Sequence, residues 1–107
     1  MGLKEMKERV RKYKKSDIVL SKHVLIRCAQ RKINPNMIFD LIQNPEKLTG
    51  FEQEFLSRRE SKYKLIFQLS NARDLAVVIV LNGRLEVITA WFVIKKWERR
   101  MRKYDKV

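Results

Sequence analysis

Three short helices are predicted in the first half of the chain from the spacing of its apolar residues. Residues 3–13, 22–32 and 35–43 each carry apolar side chains three or four positions apart, which lines one side of an α-helix. Ser21 and Asn34, the latter followed by proline, are predicted N-terminal caps. The residues predicted to face the core are Leu3, Met6, Val10, Tyr13, Val24, Leu25, Cys28, Ala29, Met37, Ile38, Leu41 and Ile42.

Strands are predicted in the second half, where the apolar period changes to two. Residues 63–69 alternate apolar with polar side chains, as in a half-buried strand. Residues 75–81 are apolar on both faces, which is typical of a central strand. Asn82-Gly83 then predicts a tight hairpin into a strand over 84–92, and a weaker strand is predicted over 51–57.

The order of these elements predicts an α+β fold, with the helices packed on one face of a four-stranded, mostly antiparallel β-sheet. With 107 residues the chain forms one domain: a basic N-terminal helix over 1–15, a core over 16–92 and a basic C-terminal helix over 93–107. The last of these spaces Ile94, Trp97, Met101 and Tyr104 at helical intervals. The apolar run at 18–20 is too short to assign.

Positive charge is concentrated at the two ends of the chain. There are 25 Lys and Arg against 12 Asp and Glu, a net charge of +13, and residues 1–15 and 95–107 each hold seven basic and two acidic side chains. Clustered cations of this kind favour a polyanion ligand, above all nucleic acid. An acidic protein partner and a compositional bias are the alternatives.

The composition also excludes several classes of site. With one Cys and one His, the chain has no internal disulfide framework and no metal site is expected. No phosphate-binding glycine loop is present, and we expect no cofactor. No apolar run is long enough for a signal peptide or a membrane span, so the expected location is cytoplasmic.

This composition is compatible with RNA cleavage that needs no metal ion, because RNA supplies its own 2′-hydroxyl nucleophile. The protein then needs groups that transfer protons and cations that stabilise charge on the phosphate. His23 and Arg27 lie four residues apart on the second predicted helix and fit these two needs. The alternative is a boundary histidine beside a solvated arginine.

Further basic residues are candidates for phosphate contacts. One group flanks the hairpin between the first two predicted strands. The alternative for this group is ordinary strand-edge charge, which prevents pairing with another strand. The second group surrounds the apolar stripe of the predicted C-terminal helix. The candidates are Arg58, Arg59 and Lys62 in the first group and Lys95, Lys96, Arg100 and Lys103 in the second.

Two stretches resemble known families of small basic proteins. The first resembles small uncharacterised domains that begin with a Ser-x-His-x-x-x-Arg helix, and the second resembles the end of BrnT-type toxins; both groups resemble the RelE-like superfamily of endoribonucleases. The first is carried by Ser21, His23, Arg27, Arg31-Lys32-Ile33 and Asn44-Pro45-Glu46; the second by 75–81, Val87-Ile88-Thr89-Ala90, Lys95-Lys96-Trp97-Glu98-Arg99-Arg100 and Tyr104.

The resemblance implies helices on an antiparallel sheet, metal-independent RNA cleavage and neutralisation by an acidic antitoxin. His23, Arg27 and Thr89 match polar positions of the first group, and Lys95, Arg99 and Tyr104 match the terminal helix of the second. The catalytic set that follows is His23 for proton transfer, Arg27 and Arg99 for phosphate charge, and Tyr104 or Lys64 as a secondary acid or base.

The sequence therefore supports three candidate functions. The first is a metal-independent endoribonuclease of toxin type. The second is a nucleic-acid-binding module of the same fold without enzymatic activity. The third is a subunit whose basic helices dock on an acidic protein partner. RNA or another nucleic acid is the expected ligand of the first two, and no membrane partner is expected.

Overall fold

A computed structural model of the protein describes residues 1–55 and 60–95, and it has the predicted α+β architecture. Three helices and one short strand precede an antiparallel strand meander. The elements are α1 (Leu3–Arg11), β1 (Ile18–Leu20), α2 (Lys22–Gln30), α3 (Pro35–Gln43), β2 (Leu48–Phe55), β3 (Ser61–Gln68), β4 (Arg73–Leu81) and β5 (Leu85–Ile94). None of the described helices is long and apolar enough to cross a membrane.

Among the described residues the sheet has five strands in the order β1-β5-β4-β3-β2, rather than the predicted four. Strands β2 to β5 pair antiparallel with their sequence neighbours, as expected. The extra strand, β1, pairs parallel with β5 and matches Ile18 with Leu85 and Leu20 with Val87. Three residues are too few to show a period, and their partner lies more than sixty positions along the chain, so this pairing has no local signal.

Both predicted helix caps are confirmed. The Oγ of Ser21 accepts a hydrogen bond from the backbone N–H of Val24 at 3.2 Å, which starts α2 directly after β1. The Oδ1 of Asn34 accepts from the N–H of Asn36 at 2.9 Å, with Pro35 in the first turn of α3. These contacts satisfy N–H groups that have no partner within the helix.

All three helices pack on one face of the sheet, as predicted. Alternate residues of β4 point to this face, and Leu75, Val77, Ile79 and Leu81 belong to a single buried cluster with side chains from every helix. The helical members of that cluster are Met6, Val10, Val24, Cys28, Ile38, Leu41 and Ile42. The core therefore lies between the helices and one sheet face.

The predicted apolar stripe of α2 is only half right. Val24 and Cys28 are buried, but Leu25 is 42% exposed and Ala29 is also exposed. The reason is the position of α2 at the β1–β5 side of the sheet, where it contacts the core along one line of residues four apart.

The predicted change from strand to helix at residue 93 is wrong. Strand β5 continues through Val93, which pairs with Asp74, and Ile94, which pairs with Arg73. Apolar spacing did not reveal this, because 93–94 fit either period. Residues 96–107 of the predicted C-terminal helix lie outside the described residues, as do 56–57 of the predicted strand over 51–57.

The hairpin at Asn82-Gly83 is confirmed, and β4 is the central strand of the sheet. Gly83 has a φ of +96°, a conformation that side-chain-bearing residues rarely adopt. On the sheet face opposite the helices, Ala76, Val78 and Val80 are buried as well. The apolar character of both faces of 75–81 thus predicted its central place correctly.

Candidate nucleic-acid interface

One helix exposes a surface that carries cations and no carboxylate. Between residues 21 and 33 the sequence has four Lys and Arg and no Asp or Glu. All four are exposed, as is the only histidine of the chain. We call this set the α2 surface; it consists of Lys22, His23, Arg27, Arg31 and Lys32. It lies on the helix-covered side of the domain, toward the β1–β5 edge.

A cleft opens beside the first turn of α2. It has a volume of about 420 Å³ and lies where β1 ends and α2 begins. His23 and Ser21 line it from the helix side, and Glu86 and Ile88 line it from β5. The remaining walls are the apolar side chains of Val19, Val24 and Val87. We call it the β1–α2 cleft.

Glu86 is a candidate functional residue that the sequence alone did not single out. It is half-buried in the β1–α2 cleft, and its Oε1 accepts a hydrogen bond from the side-chain amide of Asn82 at 3.4 Å. A carboxylate and an imidazole in one cleft are a pair that is able to move protons in both directions. The signal present in the sequence was a lone acidic residue within an apolar strand, but only the pairing of β1 with β5 makes it line the same cleft as His23.

Arg31 holds the end of α2 against β5. Its Nη1 donates to the hydroxyl of Thr89 at 3.0 Å and to the carbonyl oxygen of Ala90 at 2.8 Å. Thr89, one of the positions matched by the family resemblance, is thereby a partner of α2. Because α2 and β5 are two walls of the β1–α2 cleft, Arg31 sets the position of one wall relative to the other.

We expect Arg31→Ala to destabilise the fold by about 1–2 kcal/mol, since it removes two hydrogen bonds from a charged donor. Denaturant unfolding of the two proteins measures the difference. Arg27→Ala, an exposed arginine one turn earlier on the same helix, is the matched control and should change stability by less than about 0.5 kcal/mol. Equal losses of stability in the two variants would contradict the role of Arg31 in holding α2 against β5.

Lys32 ends α2 in a strained backbone conformation. Its φ is +58°, in the left-handed region, and the following N–H of Ile33 bonds to the carbonyl of Cys28 at 2.8 Å. Glycine is the residue that usually occupies this position after a helix. A lysine here keeps a cation on the α2 surface at a cost in stability, and such strain is frequent at functional sites.

We expect Lys32→Gly to raise the unfolding free energy by about 1 kcal/mol, because glycine relieves the left-handed strain. The same change should weaken RNA binding, because it removes one cation from the α2 surface. Lys32→Gln, which removes the charge and keeps the strain, should weaken binding without stabilising the protein. Thermal unfolding and RNA titrations of both variants separate the two effects.

The structure does not bring Lys64 near His23. Lys64 lies on β3, two strands away from β5, and its ammonium pairs with Glu52 of β2 at 3.6 Å. Lys62 makes the equivalent cross-strand pair with Glu54 at 3.2 Å. Both lysines lie on the β2 side of the sheet, and neither lines the β1–α2 cleft. Strand β3 is paired on both sides, and each lysine is paired with a carboxylate of the edge strand β2.

Lys95 is held by acceptors within the domain. Its ammonium lies 3.2 Å from Oδ1 of Asp74 and 3.4 Å from the carbonyl oxygen of Ser70. The contact with Asp74 is an ion pair without the directed geometry of a hydrogen bond. This candidate for phosphate contact is therefore neutralised by a carboxylate. The candidates Arg58, Arg59, Lys96, Arg99, Arg100, Lys103 and Tyr104 lie outside the described residues.

The predicted basic N-terminal helix forms as α1 but ends at Arg11 rather than at residue 15, and some cations of residues 1–15 are used in packing. The guanidinium of Arg9 donates to the hydroxyl of buried Tyr63 at 2.9 Å and lies 5.5 Å from the centre of its ring. The ammonium of Lys15 lies 5.2 Å from the ring centre of Phe39. Helix α1 contacts β2 and α3, so its cations lie toward the opposite sheet edge from the α2 surface.

Cys28 is a core residue, as predicted. It is buried on the inner side of α2, and burial raises the pKa of its thiol, an effect that the positive charge of Arg31 opposes. Within residues 1–55 and 60–95, no three His, Cys, Asp or Glu side chains are grouped as a metal ion would need.

Comparison of the chain with models of known protein families, with curated proteins and with solved structures finds no match.

Proposed function

We propose that this protein is a metal-independent endoribonuclease of the RelE-like, toxin type, with its active site in the β1–α2 cleft. The observation that carries the proposal is that His23 and Glu86 line one cleft at the start of a helix whose surface bears only positive charge. A proton donor, a proton acceptor and phosphate-binding cations are the groups that metal-free RNA cleavage needs.

In the proposed reaction the carboxylate of Glu86 removes the proton of a ribose 2′-hydroxyl. The 2′-oxygen attacks the adjacent phosphorus, and the bond from phosphorus to the 5′-oxygen of the next nucleotide breaks. The imidazolium of His23 gives its proton to that leaving oxygen. The products are a 2′,3′-cyclic phosphate and a free 5′-hydroxyl, and the charge on the phosphate is balanced by Arg27, one helical turn from His23.

Cations along α2 bind the RNA backbone on either side of the cleaved bond. Arg27 and Lys22 are exposed, and neither has a carboxylate partner among the described residues. Binding to a single strand should therefore weaken as salt rises, with each lost phosphate contact reducing the slope by about 0.7. Lys47→Gln, an exposed lysine in the connection between α3 and β2, is the control that should leave the slope unchanged.

The decisive experiment is incubation of the protein with labelled single-stranded RNA in excess chelator, followed by analysis of the product ends. Cyclic-phosphate ends that disappear in Glu86→Gln support the proposal. Glu52→Gln changes a glutamate on β2, the strand at the opposite edge of the sheet from β1, and should cleave as the wild type does. Cleavage that survives Glu86→Gln, or that requires an added metal ion, would overturn the assignment.

Binding of nucleic acid without cleavage is the second candidate, and one observation favours it. Lys64, proposed as a secondary acid or base, lies on β3, two strands from β5, in an ion pair with Glu52, so the described part of the cleft holds only His23 and Glu86 for proton transfer. If this second candidate is correct, incubation with RNA in chelator yields no cleavage products. RNA binding should still weaken as salt rises, and variants of the α2 surface should still reduce that dependence.

A further inference from the structure

The face of the sheet opposite the helices carries a partly exposed tryptophan. Trp91 on β5 pairs with Ala76 on β4, and the next residue across the sheet is Ile66 on β3. Ala76 is fully buried, whereas Trp91 and Ile66 are only half-buried. The core residues of the described helices all belong to the cluster on the other face. Trp91 therefore offers an aromatic surface that no described helix covers.

A β-bulge brings Trp91 to the same sheet face as Glu86. The two residues are five positions apart, and in a regular strand an odd separation places side chains on opposite faces. The register between β4 and β5 shifts near its middle, and the extra residue, Ile88, has no partner on β4. Glu86 consequently pairs with Val80 and Trp91 with Ala76, two β4 residues that are four apart and lie on the same face. Bulges are frequent beside functional sites, where they redirect a side chain.

A cation contacts β5 between these two side chains. Glu86 and Trp91 are separated by about 13 Å along the sheet, since four residues of a strand span that length. Arg31 is exposed, and its Nη1 is bonded to Thr89 and Ala90 of β5. A guanidinium has more N–H donors than these two bonds use, so Arg31 is able to bind a phosphate as well. A single strand that leaves the β1–α2 cleft along β5 therefore passes a cation and then an aromatic ring.

We infer that Trp91 stacks on one base of the bound RNA and so positions the strand in the β1–α2 cleft. This inference rests on the proposed binding of RNA, and it adds a positioning residue outside the cleft. An indole ring stacks on bases of any kind, because every base has a flat π-face. Bases of a duplex are already stacked on one another, so the site takes single-stranded RNA. Arg31 binds the phosphate between the cleft and the stacked base.

The first test follows the fluorescence of Trp91. The chain has two tryptophans, so the measurement uses a Trp97→Phe protein in which Trp91 is the only one. The ligand is a short single strand of 2′-O-methyl RNA, which lacks the 2′-hydroxyl nucleophile and therefore is not cleaved. We expect binding to quench the emission of Trp91, and the same sequence in a duplex to leave the emission unchanged. A single strand that binds without quenching Trp91 would overturn the inference.

Substitutions separate stacking on RNA from packing within the protein. Trp91→Leu should weaken binding of the single strand about fivefold to 150-fold, the usual range for the loss of one base–aromatic stack. Trp91→Tyr keeps an aromatic ring and should lose much less. Phe92→Leu is the matched control, because Phe92 is the next residue of the strand and packs against the core on the helix-covered face. It should lower stability and leave the affinity for RNA unchanged.

A scan with abasic nucleotides identifies the stacked base. One abasic position should weaken binding to the wild type about as much as Trp91→Leu does, and it should cost nothing further in that variant. If every abasic position weakens binding equally in both proteins, Trp91 stacks on no base and only covers Ala76. Quenching without any cleavage in chelator would remove the nuclease activity and keep the stacking site. Failure of single-stranded RNA to bind at all would remove both.

Discussion

Replacement of His23 by alanine is expected to slow RNA cleavage by about a hundredfold to ten-thousandfold, the usual contribution of a positioned general acid. The proposed reaction needs a proton on the leaving 5′-oxygen, and His23 is the residue on the helix side of the β1–α2 cleft that is able to supply it. Because His23 is exposed, its removal should leave the fold intact. Single-turnover rates with labelled RNA in chelator measure the effect.

The affinity for RNA separates this role from simple binding. If His23 transfers a proton, His23→Ala should lower the cleavage rate while the dissociation constant changes little. Arg27→Ala should instead weaken binding and reduce its salt dependence. A His23→Ala protein that cleaves as fast as the wild type would remove His23 from the active site, and the function would then rest on the cations of the α2 surface.

Truncation of Phe67 is expected to produce the largest loss of stability, about 3–5 kcal/mol for Phe67→Ala. Phe67 is fully buried on the helix-covered face of β3, where it belongs to the single core cluster. A domain of this size has a stability of about 5–15 kcal/mol, so the variant should unfold at a markedly lower denaturant concentration. Equilibrium unfolding in urea, monitored by circular dichroism, measures the change.

The neighbouring residue in the same strand is the matched control. Ile66 points to the opposite sheet face, pairs with Ala76 and Gly50, and is only half-buried. Ile66→Ala should therefore cost about half as much as the Phe67 truncation. If the two variants were equally destabilised, the assignment of the main core to the helix-covered face would be wrong.

Local patterns along the chain predicted most of the elements correctly. The caps at Ser21 and Asn34, the bounds of α3 and the hairpin at Gly83 all follow from a few neighbouring residues. The one-sided packing of the helices also followed, because helices grouped before a meander have one sheet face to cover. For the caps, the bounds of α3 and the hairpin, the interaction that decides the structure is made by residues close in sequence.

The candidate site was predicted less completely. His23 and Arg27 were chosen from a spacing of four, and the structure places both exposed on α2. Glu86 and Arg31 were missed as functional residues, since their partners lie far along the chain. Lys64 was grouped with His23 by residue type alone, and the strand order separates them. A list of chemically suitable residues carries no information on which strands are neighbours.

The sequence by itself determined the α+β class of the fold and the excess of positive charge, because periodicity, caps and charge are properties of short segments. The tertiary structure alone decided that β1 pairs with β5 and that Glu86 therefore shares a cleft with His23. Both features depend on one contact between residues 18–20 and 85–87. Such a contact is stabilised only when the whole core has formed, so no local pattern encodes it.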